Sequence, residues 1–144
     1  MISAGLWQLK VVYEQTLEEV RAGKKQTHWM WFIFPQIQGI GTSETSAYYA
    51  IGSIDEARSY LNHQLLGRRL KEITSVINEA SSSADTIFGS VDAAKFLSSM
   101  TLFYRIDPEQ TVFRIAIQKF FDGACDERTI GLLDEMMRVR PREV

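Results

Sequence analysis

Apolar residues recur at spacings of three and four along most of this chain, and this pattern constrains its fold more than any other feature. In the first such segment the apolar side chains that share one helical face are Leu6, Leu9, Tyr13, Leu17 and Val20. No stretch keeps the strict alternation that is typical of a half-buried strand. We therefore predict an all-α protein, a compact bundle of about five to seven short helices.

Local signals mark where helices in the first half begin and end. Gly23 is placed to end the first helix in the left-handed conformation. Ser53 and Glu56 form a capping box, in which the Ser53 hydroxyl accepts from the Glu56 amide and the Glu56 carboxylate returns to the Ser53 amide. The helix that follows should end near Leu61. We interpret the serines at 81–83 only as a connection.

The second half carries similar signals. Ser90 is predicted to open a helix that continues to about Ile106. Asp107 is then predicted to cap another helix, with Pro108 at its first position. A last helix should begin at Asp126.

Residues 28–36 concentrate aromatic side chains, and they read HWMWFIFPQ. They include two of the three tryptophans and two of the eight phenylalanines, so we expect Trp29 and Trp31 to be largely buried. Thr27 is placed to cap a short helix here, although a buried strand would give an apolar run of the same kind. Pro35 disfavours helical geometry before it and predicts a loop over 35–42.

Length and composition predict one domain. A chain of 144 residues with 45% hydrophobic and 24% charged residues is typical of a globular protein with one core. We expect one all-helical domain over 1–144, with 1–5 and 139–144 frayed. The single cysteine, Cys125, excludes an intrachain disulfide, and the first residues do not resemble a signal peptide. A cytoplasmic location is therefore expected.

Charge and hydropathy argue against two classes of partner. The net charge is −2, whereas a nucleic-acid-binding protein normally has a basic excess, so we expect no nucleic acid. The basic pair at 24–25 is interpreted as part of a solvated surface. No apolar run approaches the ~18 residues that indicate a membrane helix, so no membrane association is expected.

The sequence offers little for a metal or cofactor. His28 and His63 are the only histidines and have no paired spacing with each other or with the cysteine, so no metal site is predicted. No glycine-rich nucleotide fingerprint is present, and no cofactor is expected. Adjacent carboxylates such as Glu18 and Glu19 point apart on a helix and are interpreted as solvated.

Several motifs resemble a family of small bacterial and fungal proteins of unknown function, some of which carry a mistaken calpastatin label. The resemblance extends over about 13–135, and its motifs are KKQTHWMWFIFPQ at 24–36, SIDEAR at 53–58, YL at 60–61, LG at 66–67, IFGS at 87–90, SSMTLF at 98–103 and FFDG at 120–123. It implies an all-helical fold of its own type. It carries over no activity, cofactor or catalytic residue.

The aromatic segment and its polar ends are the first candidate site. His28 is the side chain here that titrates near neutrality, Gln36 can both donate and accept hydrogen bonds, and Trp29 and Trp31 could stack on a planar ligand. The alternative is that both indoles fill the core and His28 bonds to the backbone.

Hydroxyl groups within an apolar helix are the second candidate. Ser98 and Ser99 either allow another helix to approach closely or, with Arg105 and the region of His28, line a polar pocket for a planar or phosphate-bearing small molecule.

Two hypotheses about function follow. The first is a non-catalytic domain that binds a small metabolite or a protein partner at 28–36. The second is a metal-free enzyme that uses His28 as general acid and base, assisted by Gln36 and by Ser98 or Ser99. The first is favoured, because no nucleophile with an orienting acid is recognisable near His28.

Overall fold

The computed structural model describes residues 6–27, 29–41 and 44–138, without the side chains at 6–11, 31, 32, 45 and 46. The ends predicted to fray, 1–5 and 139–144, lie outside these ranges. The described residues form nine helices: α1 (Leu6–Arg21), α2 (Met30–Ile33), α3 (Glu44–Tyr49), α4 (Ile54–Asn62), α5 (Leu66–Asn78), α6 (Ala84–Phe88), α7 (Ser90–Ile106), α8 (Thr111–Phe121) and α9 (Glu127–Arg138).

The prediction of an all-α bundle is confirmed. Six of these helices have between 9 and 17 residues, and the other three have 4, 6 and 5. Within the described ranges there is no strand, and the β-type pairing is an isolated parallel bridge between Ile37 and Ile51. In the same ranges no helix is long and apolar enough to cross a membrane.

Helix α7 lies at the centre of the bundle. It packs against α2, α4, α6, α8 and α9, while α5 packs against α1, α4 and α8. Phe96, Met100 and Phe103 of α7 are completely buried. Because neighbours cover this helix on several sides, its buried residues also include Ser98 and Ser99, which no single apolar stripe would predict.

The predicted end of α1 and the predicted start of α4 are confirmed, although one hydrogen bond at the start of α4 has a different partner from the one predicted. Gly23 has a φ of +83°, in the left-handed region. The Ser53 hydroxyl accepts from the Glu56 amide at 3.0 Å and caps α4. The Glu56 carboxylate, however, accepts from the Gly52 amide at 2.8 Å, one residue before the predicted partner.

Helix α6 was missed by the sequence prediction, whereas the helix predicted from Ser90 to about Ile106 is confirmed as α7. The Ser83 hydroxyl accepts from the Thr86 amide at 3.1 Å and caps α6, so the serine stretch is more than a connection. Gly89, with a φ of +83°, is the cap residue between α6 and α7. Ser90 is the first residue of α7, as predicted, and Gly89 precedes it as the cap.

The predicted helix start at Asp107 and Pro108 is wrong. Asp107 ends α7, and its carboxylate accepts from the Glu109 amide at 3.2 Å while its carbonyl accepts from the Gln110 amide at 3.1 Å. These bonds close a turn, so α8 begins only at Thr111.

Gly67 allows α5 to approach the end of α4, and its replacement tests this contact. A Cβ at this position would lie 1.9 Å from the carbonyl oxygen of Leu61, so we expect Gly67→Ala to lower the free energy of unfolding by about 1–3 kcal/mol. Urea denaturation measures the change. The control is Gly131→Ala in α9, where a Cβ meets nothing within 4 Å and alanine should stabilise the helix by about 0.5–1 kcal/mol. Equal effects at the two positions would contradict the close approach.

Candidate functional site

Glu19 at the end of α1 organises the segment that leads into α2. Only 9% of this residue is exposed. Its carboxylate accepts from the Gln26 amide at 2.7 Å, from the Thr27 hydroxyl at 2.6 Å and from the Trp29 indole N–H at 2.8 Å. The prediction that Glu18 and Glu19 are both solvated is wrong for Glu19, because the two side chains leave the helix in different directions and only one faces this segment.

The environment of Glu19 keeps it ionised. Burial raises the pKa of this carboxyl, but the hydrogen bonds from Thr27, Gln26 and Trp29 favour the charged form and together lower the pKa from 4.5 to about 2. A buried carboxylate with this many donors is a fixed anchor for the backbone that follows α1.

Trp29 is a core residue. It is 1% exposed, and its ring centroid lies 6.2 Å from that of Phe34 and 6.3 Å from that of Phe88. The expected burial is therefore confirmed for Trp29.

The segment forms the short helix α2 and not a strand, and Trp29 is the residue that caps this helix. The predicted cap, Thr27, instead donates to Glu19.

Two of the predicted site groups, His28 and the side chain of Trp31, lie outside the described part of the chain. Gln36 is buried, and its carbonyl accepts from the Ile51 amide at 2.8 Å. It lies in the loop that follows α2.

The predicted site residues of α7 have separate environments. The hydroxyls of Ser98 and Thr129 are 2.9 Å apart and join α7 to α9. The buried Ser99 hydroxyl has no partner among the described residues. Arg105 is 3.4 Å from the carboxylate of Asp134. These contacts are those of packed helices and a surface ion pair.

A cleft of about 370 Å³ lies between the segment before α2 and the start of α7. We call it the α7 cleft. Its lining residues are Lys25, Met30, Phe88, Gly89, Ser90, Val91, Asp92 and Lys95. Met30 belongs to the predicted segment 28–36, whereas the other seven residues were not candidates. Ser98, Ser99 and Arg105 do not line it.

The charges of the α7 cleft are two lysines around one aspartate. The Lys25 ammonium is 2.7 Å from one carboxylate oxygen of Asp92, and the Lys95 ammonium is 3.4 Å from the other. Lys25 also lies over the Trp29 ring, 5.3 Å from its centroid. Two ammonium groups and one carboxylate leave one formal positive charge among the lining residues.

The interpretation of Lys25 as a solvated residue is wrong. Its side chain is 8% exposed, and its amide donates to the carbonyl of Ile87 at 2.7 Å. The pairing of Lys25 with Asp92 joins positions that are far apart in the sequence. In the sequence, Trp29 follows Lys25 after three residues, and this spacing could have indicated that Lys25 is buried. An ammonium group is attracted to the face of an aromatic ring.

The α7 cleft also has an apolar part. Met30 and Phe88 are buried and form part of its wall. Val91, in the first turn of α7, is 69% exposed. Charged and apolar groups therefore line the same cleft.

A metal centre is not formed by the described residues, since nowhere in them do three or more His, Cys, Asp or Glu side chains converge as ligands would. Cys125 is a free, partly buried thiol.

Comparison with known proteins identifies the family of this chain. A model of the DUF1810 family, described as protein of unknown function, matches residues 7–133. The chain belongs to the DUF1810 family. The match begins earlier than the resemblance predicted from about residue 13, and it includes every residue that lines the α7 cleft.

A solved structure of similar fold is that of the conserved hypothetical protein Rv1873 from Mycobacterium tuberculosis. Its TM-score is 0.85 at 42% identity, and the alignment covers 90% of this chain and 96% of that chain. No curated protein matches this DUF1810 chain. The assignment to the DUF1810 family thus carries no activity with it, and the α7 cleft is the candidate functional site.

Proposed function

We propose that this DUF1810 protein is a non-catalytic binding domain for a small organic anion, which it takes up in the α7 cleft. The observation that carries the proposal is the pair of lysines, Lys25 and Lys95, in a cleft of about 370 Å³ whose wall includes Met30 and Phe88. Ligand sites are typically concave and combine apolar side chains with a few polar groups that fix the orientation of the ligand. The single cysteine supports a cytoplasmic location.

The proposal keeps the predicted class of function and moves the centre of the site. Met30, from the segment 28–36, lines the cleft. Trp29 does not line it, but its ring contacts Lys25 and so helps to position this lysine. Gln36, Ser98, Ser99 and Arg105 are not part of the site. The alternative of a metal-free enzyme that uses His28 stays a hypothesis, because His28 lies outside the described residues.

A thermal-shift measurement tests this proposal. Small carboxylates and phosphate esters are compared with their neutral amides and alcohols at equal ionic strength. A ligand at a hundredfold excess over its Kd stabilises the folded state by about 2.7 kcal/mol, which corresponds to about 10 °C in Tm for a domain of this size. We expect shifts with anions and not with their neutral analogues.

Variants locate the binding site. Lys95→Gln removes one charge from the cleft and should reduce the shift, whereas Lys71→Gln on α5, outside the cleft lining, should leave it unchanged. The proposal fails if no anion raises Tm, if neutral analogues act equally, or if both variants behave like the wild type.

A further inference from the structure

We infer that the ligand of the α7 cleft is a monocarboxylate with an apolar body, and that Asp92 is the residue that disfavours doubly charged phosphate esters. The inference rests on the proposed function and specifies the chemical class of its ligand. It is carried by the charge balance of the cleft together with the distribution of its apolar residues.

The charge balance favours a single negative charge. Asp92 contacts both Lys25 and Lys95 through its two carboxylate oxygens, at 2.7 and 3.4 Å. The lining therefore offers one net positive charge, which one carboxylate neutralises. A second negative charge on the ligand would face the Asp92 carboxylate, and like charges at short distance in a partly desolvated cleft repel.

The apolar residues favour a ligand with a hydrophobic body. Val91, now 69% exposed, supplies most of the apolar surface of the cleft and would be covered by such a body, whereas Met30 and Phe88 add only the small exposed parts of their side chains. Removal of this exposed apolar surface from water stabilises the complex. The volume of about 370 Å³ lies at the small end of the range for ligand sites, which favours a small ligand.

Titration calorimetry of the full chain with three probes tests the inference. Phenylacetate carries one charge, phenyl phosphate carries about two charges at a pH of about 8, and phenylacetamide carries none. We expect the wild type to bind phenylacetate about tenfold more tightly than either of the other two, since a tenfold difference corresponds to the modest free energy of one charge contact. Phenylacetamide lacks the favourable contact, and phenyl phosphate adds an unfavourable one.

Two variants separate the contributions of charge and apolar contact. Asp92→Asn keeps the shape of the side chain and should improve the binding of phenyl phosphate by about tenfold. Val91→Asn should weaken phenylacetate by about fivefold through lost apolar contact. The matched control is Ile115→Asn, which replaces another exposed apolar residue, on α8, and should leave all three affinities unchanged. Circular dichroism confirms that each variant is folded.

The outcomes distinguish this inference from the proposed function. If wild-type protein binds phenyl phosphate as tightly as phenylacetate, or binds other anions and not phenylacetate, the inference is wrong and the proposed function stands. If no anion binds, both fail. The wild-type comparison alone decides the ligand class, even if Asp92→Asn does not fold. Equal affinity of the Val91→Asn and Ile115→Asn variants for phenylacetate would contradict the apolar contact.

Discussion

Trp29→Ala is expected to lower the free energy of unfolding by about 3–5 kcal/mol, the cost of removing a large aromatic side chain from a packed core. Trp29 is 1% exposed and lies against Phe34 and Phe88, so its removal leaves a cavity. It also leaves Glu19 without one donor and Lys25 without the aromatic face that it contacts. Since domains are stable by about 5–15 kcal/mol in total, urea denaturation should show a large shift.

Trp29→Phe separates the packing of the ring from its hydrogen bond. Phenylalanine keeps most of the apolar volume but lacks the N–H that donates to Glu19 at 2.8 Å. We expect this variant to lose about 1–3 kcal/mol, because an acceptor is left with fewer donors in a buried site. A loss for Trp29→Ala no greater than that for Trp29→Phe would contradict the role of Trp29 as a core residue.

Glu19→Gln is the second change with a large expected effect. A carboxyl whose pKa falls from 4.5 to about 2 on folding contributes about 3 kcal/mol to stability at neutral pH. Glutamine removes this contribution and also points an amide N–H₂ toward groups that are themselves donors. We expect the free energy of unfolding to fall by about 3 kcal/mol at neutral pH, measured by urea denaturation.

The pH dependence identifies the cause of this loss. The pKa of Glu19 is lower in the folded state than in the unfolded state, so its contribution is fully present above pH 4.5 and decreases as the pH falls toward 2. Wild type and Glu19→Gln should therefore approach each other in stability over this range. The control is Glu18→Gln, at the exposed neighbouring position, which should differ little from wild type at neutral pH. A constant difference between wild type and Glu19→Gln at all pH values would exclude ionisation as the cause.

Much of the helical architecture could be predicted because its signals are local. The spacing of Leu6 to Val20 indicates one helical face, and the observed α1 extends from Leu6 to Arg21. Ser53 bonds to an amide three residues along the chain, so its capping role is visible in the sequence. Where two local signals compete, as at Asp107, the sequence does not decide between a turn and a helix cap, since the same carboxylate serves either.

The sequence by itself determined the fold class and the burial of Trp29, because both depend on residue type and on spacing within one segment. Only the tertiary structure decided that Glu19 is an anchor and that Lys25 meets Asp92, since the first depends on how the segment after α1 folds back onto Glu19 and the second on where this segment meets α7. Neighbouring residues on a helix point in different directions, so Glu18 and Glu19 look equivalent in the sequence and differ in the fold. The α7 cleft exists only where residues 25–30 and 88–95 come together, and local physical rules do not specify that contact.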